Sequence, residues 1–406
     1  MEAYERLIRY IGFDTVSDEE SETTPSTACQ FDLARALESE MREMGLQDVY
    51  LDDHAYVYGK LPATPGMETV TPLGFIAHLD TVTIGKNGPA QYRLVPDYDG
   101  GIVPLGDSGL MLDPETFPHL KSMVGETLIT TDGTMVLGAD DKAGVAEIMT
   151  LCEHLLRGDR PHGPVSVCFT PDEEIGHGAA LLDLERFGAA LAYTADGSAV
   201  GEIEYETFNA ASAKWEIQGV SVHPGSAKDV MINAAHVAAE IDHLLPQDQR
   251  PRDTEGYEGF YHLTDLAGDV SRARAQYIIR DHDARRFEQR KEIMRSVEQV
   301  INDRYGAQVA KVTIADQYRN MREVVEDCPQ VVEAARDAIR SVGLEPVSNP
   351  IRGGTDGAQL SFRGLPCPNL GTGGYSFHGP YEHISVQQMD KAVRVLEAIV
   401  DWFGRQ

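Results

Sequence analysis

The chain has no paired cysteine motif. Its five cysteines, Cys29, Cys152, Cys168, Cys328 and Cys367, are scattered and odd in number, which argues against a disulfide framework and against a thiolate zinc site. It also lacks an apolar run of the roughly 20 residues that a membrane-spanning helix needs. Residues 1–10 mix charged with apolar side chains and carry no signal-peptide core. Positive charge is scarce: 35 Lys and Arg stand against 65 Asp and Glu, a formal net charge of -30. Such a chain repels phosphate backbones and anionic lipid headgroups, so neither nucleic acid nor a membrane is an expected partner. Cationic or zwitterionic ligands remain. There is no internal repeat and no long low-complexity segment. These absences together point to a protein of the reducing cytoplasm.

What is present suits a globular protein. A length of 406 residues exceeds one core, so two domains are expected. Apolar content of 42% and charged content of 25% are ordinary. Short buried-strand patterns at 73–77, 128–137, 165–169 and 191–195 alternate with helical stripes. One helix begins near Ser26 as cap, carries Leu33, Ala34, Leu37, Met41 and Met44, and stops at Gly45. Another begins at Lys142 and carries Val145, Ile148, Met149, Leu155 and Leu156. Alternation of this kind predicts an α/β fold with a mostly parallel sheet sandwiched by helices. Residues 83–120, rich in Gly, Pro and Asp, read as a long excursion containing a hairpin.

The pattern then changes. Strands at 212–218, 259–263, 273–279 and 309–314, with helices at 233–245 and 285–301, form a split βαβ (ferredoxin-like) unit. It is expected as an insertion spanning 208–322, between 1–207 and 323–406 of the first domain. A helix at 330–342 stops at Gly343. A last helix is capped by Ser385 with Gln388 in capping-box position, and buries Met389, Val393, Leu396 and Val400.

The organising stretch is Gly138-Ala139-Asp140-Asp141-Lys142-Ala143-Gly144. Here two adjacent aspartates sit on a strand-to-helix turn, at the kind of sheet end where α/β proteins bind ligands. Adjacent carboxylates repel each other, so the pair needs solvent or a cation. Alone it would read as a solvated turn; its companions change that. His78-Leu79-Asp80, Glu173-Glu174, Asp196 and His378 each lie at or just after an expected strand. They are ligand types that zinc takes. His78 and Asp80, two apart on extended chain, point the same way. Asp80 can ligate, or it can accept the other imidazole proton and fix the tautomer. Neighbouring glutamates on an irregular loop diverge, so one can hold metal while the other acts as a base. A shared central Asp would make two three-ligand sites, with ions roughly 3.5–4 Å apart.

The order and wording of these motifs resemble the peptidase T branch of the di-zinc aminopeptidase, carboxypeptidase and aminoacylase family, over essentially the whole chain. The organising stretch marks the wider family. Four others resemble the branch: Ser221-Val222-His223-Pro224-Gly225, Tyr277-Ile278-Ile279-Arg280-Asp281, Arg352-Gly353-Gly354-Thr355-Asp356-Gly357, and Gly364-Leu365-Pro366-Cys367-Pro368-Asn369-Leu370-Gly371. One departure is that Ser376 and Phe377 precede His378 where the branch carries Asn and a Tyr-like residue. The resemblance implies two Zn2+ per subunit. His78 and Asp196 would complete one site, Glu174 and His378 the other, and Asp140 would bridge. Asp80 would orient His78 and Glu173 would be the general base. The implied activity is cytoplasmic removal of the N-terminal residue from tripeptides, by metal-hydroxide attack on the first peptide bond. His223, Arg280, Arg352 and Thr355 would bind substrate. The inserted domain would act as a lid and dimerisation domain, its His223 serving its own or a partner's site in a homodimer. A dipeptidase or an N-acyl-amino-acid deacylase would share metals and base and differ in its substrate clamp. A binding protein without catalysis would not need Glu173.

Overall fold

In the computed structural model, which describes residues 1–85, 88–158, 160–306 and 308–406, the chain divides into two compact units. The first comprises Met1–Tyr205, Glu323–Asn349 and Thr355–Gln406; the second comprises Glu206–Arg322 and Pro350–Gly354.

The first unit is built on a seven-stranded sheet. Its strand order is Gln47–Leu51, Val57–Leu61, Val165–Thr170, Leu73–His78, Leu191–Gly197, Asn369–Gly371 and Ile203–Glu204. The central four strands are parallel, and the outer pairings are antiparallel. All residues of Leu73–His78 and Val165–Thr170 are buried, as continuous apolar strands must be when both faces are covered. Alternate residues serve opposite faces. Phe75, Ala77, Val167, Phe169 and Tyr193 join the core under the helices Gln30–Met44, Ala139–Arg157, Pro329–Ser341 and Val386–Phe403. Ile76, Cys168 and Ala192 join a second core with Phe187, Leu360 and Leu365.

Three local expectations need correction. The helix read from Ser26 begins at Gln30, and its cap residue Cys29 makes no side-chain cap bond. Ser26 instead donates its N–H and hydroxyl to the Asp172 carboxylate, at 2.7 and 2.6 Å. The run 128–137 is a strand only over Leu128–Thr131, because Asp132-Gly133 break it. It also belongs to a separate antiparallel sheet, ordered Gly374–Tyr375, His383–Ser385, Leu128–Thr131, Tyr92–Val95. Finally, Ser385 caps the last helix by accepting from Gln388 N, but the Gln388 amide donates to Glu126 rather than closing a capping box.

The 83–120 excursion supplies Tyr92–Val95 to the small sheet and carries a hairpin pairing Val103–Pro104 with Met111–Leu112. Residues 86 and 87 lie outside the described residues. The excursion has its own core of Tyr98, Leu105, Leu112, Leu120 and Met123 with Leu128, so it is organised structure rather than open loop.

The second unit is a four-stranded antiparallel sheet ordered Phe260–Gly268, Arg272–Asp281, Asn209–Gln218, Ala310–Tyr318. The helices Ala234–Leu244 and Ala284–Tyr305 pack on it through a core that includes Trp215, Ile217, Tyr277, Ile279, Met294 and Ile301. Along Asn209–Gln218, Trp215 and Ile217 are buried while Lys214, Glu216 and Gln218 are exposed, the period of a sheet covered on one face.

Gly144 sets how closely the helix Ala139–Arg157 approaches the strand Leu191–Gly197. A Cβ at that position would overlap the carbonyl oxygen of Ala195, a rigid backbone atom next to Asp196. Gly144→Ala is therefore expected to destabilise the protein by about 1–3 kcal/mol or more, read as a lower urea midpoint. An unchanged midpoint would show that helix and strand separate freely.

Candidate metal centre

Three parallel strands of the large sheet deliver chemistry at their carboxyl ends, as open α/β sheets do. Leu73–His78 ends in His78 and leads to Asp80. Its neighbour Val165–Thr170 leads into Pro171-Asp172-Glu173-Glu174. Leu191–Gly197 carries Asp196. The small sheet delivers the rest. Past Leu128–Thr131 the chain runs to the turn at Gly138 and to Asp140; past Gly374–Tyr375 it reaches His378. Gly138 adopts φ 79°, and the residues Asp140 and Asp141 keep non-helical dihedrals, so regular helix begins at Lys142. Ser376 and His378 also hold positive φ, 58° and 56°.

The two imidazoles meet at Asp140. His78 Nε2 lies 3.0 Å from Asp140 Oδ1 and 3.4 Å from Asp196 Oδ1. His378 Nε2 lies 2.9 Å from Asp140 Oδ2 and 3.0 Å from Glu174 Oε2. Each oxygen of Asp140 thus faces a different histidine. Two ligand groupings fall within 4.8 Å: His78, Asp140 and Glu174, and His78, Asp141 and Asp196. Asp141 is the weaker member. Its Oδ2 accepts from His78 N at 3.0 Å and its Oδ1 from Gly144 N at 3.2 Å. It ties the His78 strand to the helix, each of its oxygens accepting one backbone N–H.

Asp80 joins His78 to the glutamate pair. Its carboxylate accepts from Glu173 N at 2.9 Å and Glu174 N at 3.2 Å, and stands 3.4 Å from His78 Nδ1. The nearer partner of Nδ1 is the Asp80 carbonyl, at 3.0 Å.

Desolvation raises the Glu173 carboxyl well above its ordinary range, with the negative charge of Asp196 adding to it. It raises Asp196 to about 6 and Glu174 to about 7. Desolvation would raise Asp140 too, but hydrogen bonds from His378 and His78 outweigh it and hold that carboxyl low. Asp140 and Glu174 in turn lift His378 to about 11. Glu174 Oε1 is buried without a hydrogen-bond partner among the described residues. An excess of enclosed carboxylates, an orphaned carboxylate oxygen and two converging imidazoles are a donor set that fits metal cations, zinc among them.

Each of the four residues expected to bind substrate has a local hydrogen-bond partner. Thr355 caps the helix Asp356–Phe362 by accepting from Ala358 N. The other three belong to the second unit. His223 is exposed on a turn, its Nδ1 accepting from Gly225 N at 3.1 Å. Arg280 Nη1 donates to Ile279 O, Gln317 Oε1 and Ala211 O at 3.0, 3.2 and 3.3 Å. Arg352 spends both terminal nitrogens on 254–258: Nη1 reaches the carbonyls of Gly256 and Glu258, each at 2.8 Å, and Nη2 reaches Thr254 Oγ1 at 2.8 Å.

Three buried carboxylates escaped the sequence reading. Asp172, at φ 57°, anchors the glutamate loop to Ser26 and to Gln30, whose Nε2 donates at 2.7 Å. Asp356 accepts from Thr170 Oγ1 at 2.9 Å, leaves its other oxygen unpartnered among the described residues, and is raised to about 7 by burial. Glu382 is bound to the Asp140 turn. Their one sequence signal is proximity to a motif: Asp172 precedes Glu173, Asp356 lies in the Gly-Gly-Thr-Asp-Gly loop, and Glu382 follows His378 by four.

Residues 129–402 match the model of peptidase family M20/M25/M40. The chain belongs to this family. Over its whole length it is similar to proteins named peptidase T. That of Bacillus velezensis is 49% identical over 406 residues, 99% of this chain and 98% of the relative. That of Clostridium acetobutylicum is 47% identical over 407 residues, all of both chains. Among solved structures, an aminopeptidase of Bacillus cereus aligns at a TM-score of 0.78 and 23% identity, covering 100% of this chain and 98% of the other. A dinuclear metal-binding peptidase of Bacillus subtilis aligns at 0.67 and 16%, covering 100% and 98%. At those identities the structures establish the shared fold. Membership of the M20/M25/M40 family makes the chain a metal-dependent peptidase, a hydrolase of peptide bonds.

The Asp172 anchor carries a prediction. Asp172→Ala strips the acceptor from three buried donors, each costing about 1–3 kcal/mol when left unsatisfied. Urea unfolding should show a lower midpoint and kcat should fall, because the Glu173–Glu174 backbone loses its tether. Wild-type values for both would mean that Asp80 alone holds the loop.

Proposed function

We propose that this peptidase is a cytoplasmic aminotripeptidase that works with two zinc ions per subunit. The observation that carries the reading is Asp140, whose two oxygens each face a separate imidazole while Asp196 and Glu174 flank them. Asp140, His78 and Asp196 would hold one ion, and Asp140, Glu174 and His378 the other. When bound, the ions polarise the scissile carbonyl and acidify the attacking water.

The chain's own groups do the rest. Glu173 takes a proton from the water and returns it to the departing amine. The enclosure that raises its carboxyl suits a base that must then act as an acid. Asp80 holds the Glu173 and Glu174 backbone and fixes the His78 ring, so base and ligands keep one geometry. His223 stabilises the oxyanion. Arg280 is the clamp for the substrate's terminal carboxylate, assisted by Arg352 and Thr355. The carboxylate-rich centre attracts the free ammonium of a peptide N-terminus, and a fixed arginine pairs directionally with its carboxylate. Pairing of the substrate's terminal carboxylate with Arg280 is what selects substrate length in this reading.

No helix among the described residues is long and apolar enough to cross a membrane. The second unit also mediates a homodimer in this reading, His223 serving its own or the partner's site. Mixing inactive Glu173→Gln with inactive His223→Ala chains restores activity under subunit exchange if His223 acts in the partner. A single-chain mass in sedimentation removes the dimer.

Substrate length and direction are tested with di-, tri- and tetrapeptides bearing free or blocked termini. Blocking either end of a good tripeptide should lower kcat/KM roughly ten- to a hundredfold, the loss of one charge-assisted contact. Arg280→Ala should erase most of the preference for three residues over four. A requirement for N-acylation, with C-terminal amidation harmless, would make the enzyme a deacylase; a preference for two residues would make it a dipeptidase.

A further inference from the structure

Glu382 is not a metal ligand in the reading above, yet it is almost wholly buried, with 1% of its surface exposed. No lysine or arginine pairs with it among the described residues. Its charge is met by backbone instead. Oε2 accepts from Leu137 N at 2.7 Å and Gly138 N at 2.9 Å, and Oε1 accepts from Asp140 N at 2.9 Å. A left-handed Gly138, at φ 79°, lets these N–H groups converge on one anion, the geometry of a backbone nest.

The fold explains how a residue 242 positions away reaches this turn. Glu382 immediately precedes the strand His383–Ser385, which pairs with Leu128–Thr131 in the register His383 to Thr130. The same small sheet therefore launches the chain toward Asp140 and brings Glu382 back to it. Thr131 Oγ1 reinforces the junction by donating to Pro380 O at 2.7 Å. Asp140 and Asp141 lie outside regular helix, so helical hydrogen bonding does not fix the peptide that carries Asp140. Glu382 does.

We propose that Glu382 is a positioning residue for the metal centre: by holding three N–H groups of residues 137–140 it sets the orientation in which Asp140 presents one oxygen to each side. The inference rests on the bridging role assigned to Asp140. Both carboxylate oxygens are required. Glutamine has the same shape but turns an NH2 group toward one of the three N–H donors, so one arm of the nest is lost.

The test uses the full-length protein, with zinc affinity measured by competition against a chromogenic chelator. The metal-free melting temperature and the tripeptide kcat and KM at saturating zinc are measured alongside. Glu382→Gln is expected to weaken zinc binding about 10- to 100-fold, the usual cost of disturbing a group that orients a ligand, and to lower kcat with KM nearly unchanged. Wild-type zinc affinity and kcat, with only a lower metal-free melting temperature, would overturn the proposal and leave Glu382 as a structural tie. Glu382→Asp keeps both acceptors and the charge but shortens the reach; it should recover part of the zinc affinity that the glutamine variant loses. Should Glu382→Gln fail to fold, Glu382→Asp carries the test: weaker zinc binding with a normal metal-free melting temperature supports the proposal, and wild-type affinity overturns it. Asp140→Asn on the same titration separates the two levels. If it retains both ions, the bridging reading fails. If it loses zinc while Glu382→Gln binds as wild type, only the role of Glu382 fails.

Discussion

Enclosing several carboxylates in one small volume is the constraint on which this structure depends. Charged groups withdrawn from water must be paired or hydrogen-bonded, and here four of the acids are met by N–H and O–H donors of the chain. Asp141 is met by His78 N and Gly144 N, Asp80 by Glu173 N and Glu174 N, and Glu382 by three N–H groups of the Gly138 turn. Asp172 is met by Ser26 and Gln30. These four spend their charge on fixing backbone. Asp140, Glu174 and Asp196 face imidazoles, and these are the acids proposed to hold cations. Two kinds of carboxylate, with the same chemistry and different partners, divide scaffold from proposed ligand.

That division follows the two sheets of the first unit. The parallel centre of the large sheet is buried and brings His78, the glutamate loop and Asp196 side by side. The small antiparallel sheet supplies Asp140 and His378 from strands of two to four residues, too short to be stable alone. Its geometry is instead held by the excursion's core and by long-range hydrogen bonds, Glu382 to the turn and Gln388 to Glu126 among them. The proposed base Glu173 sits on the large-sheet side, with its backbone tied to Asp80. The proposed bridging ligand Asp140 sits on the side that depends on nonlocal ties.

Much of this was legible in the chain itself. Strands such as 73–77 and 165–169 are continuous apolar runs, so their ends and the candidate ligands there could be placed by pattern alone. The second unit alternates clearly in burial and was equally readable, as was the start of regular helix at Lys142. The small sheet was not. Residues 128–137 look like one strand of the main sheet because Met135, Val136 and Leu137 resume the apolar run, although Asp132 and Gly133 interrupt it. Ser26 looked like a helix cap because its local spacing is right, while its true partner, Asp172, lies 146 residues away. Glu382 and Asp356 carry no periodic signal, since a buried acid is identified by groups that only the fold brings near.

The central claim is that Asp140 serves two metal ions at once, one on each oxygen. Diffraction from zinc-loaded crystals, recorded above and below the zinc absorption edge, tests it most directly. The account predicts two anomalous peaks in each chain, roughly 3.5–4 Å apart, each about 2.0–2.2 Å from a different oxygen of Asp140, with His78 and Asp196 at one and Glu174 and His378 at the other. A single peak, or two peaks with Asp140 touching only one, would contradict it.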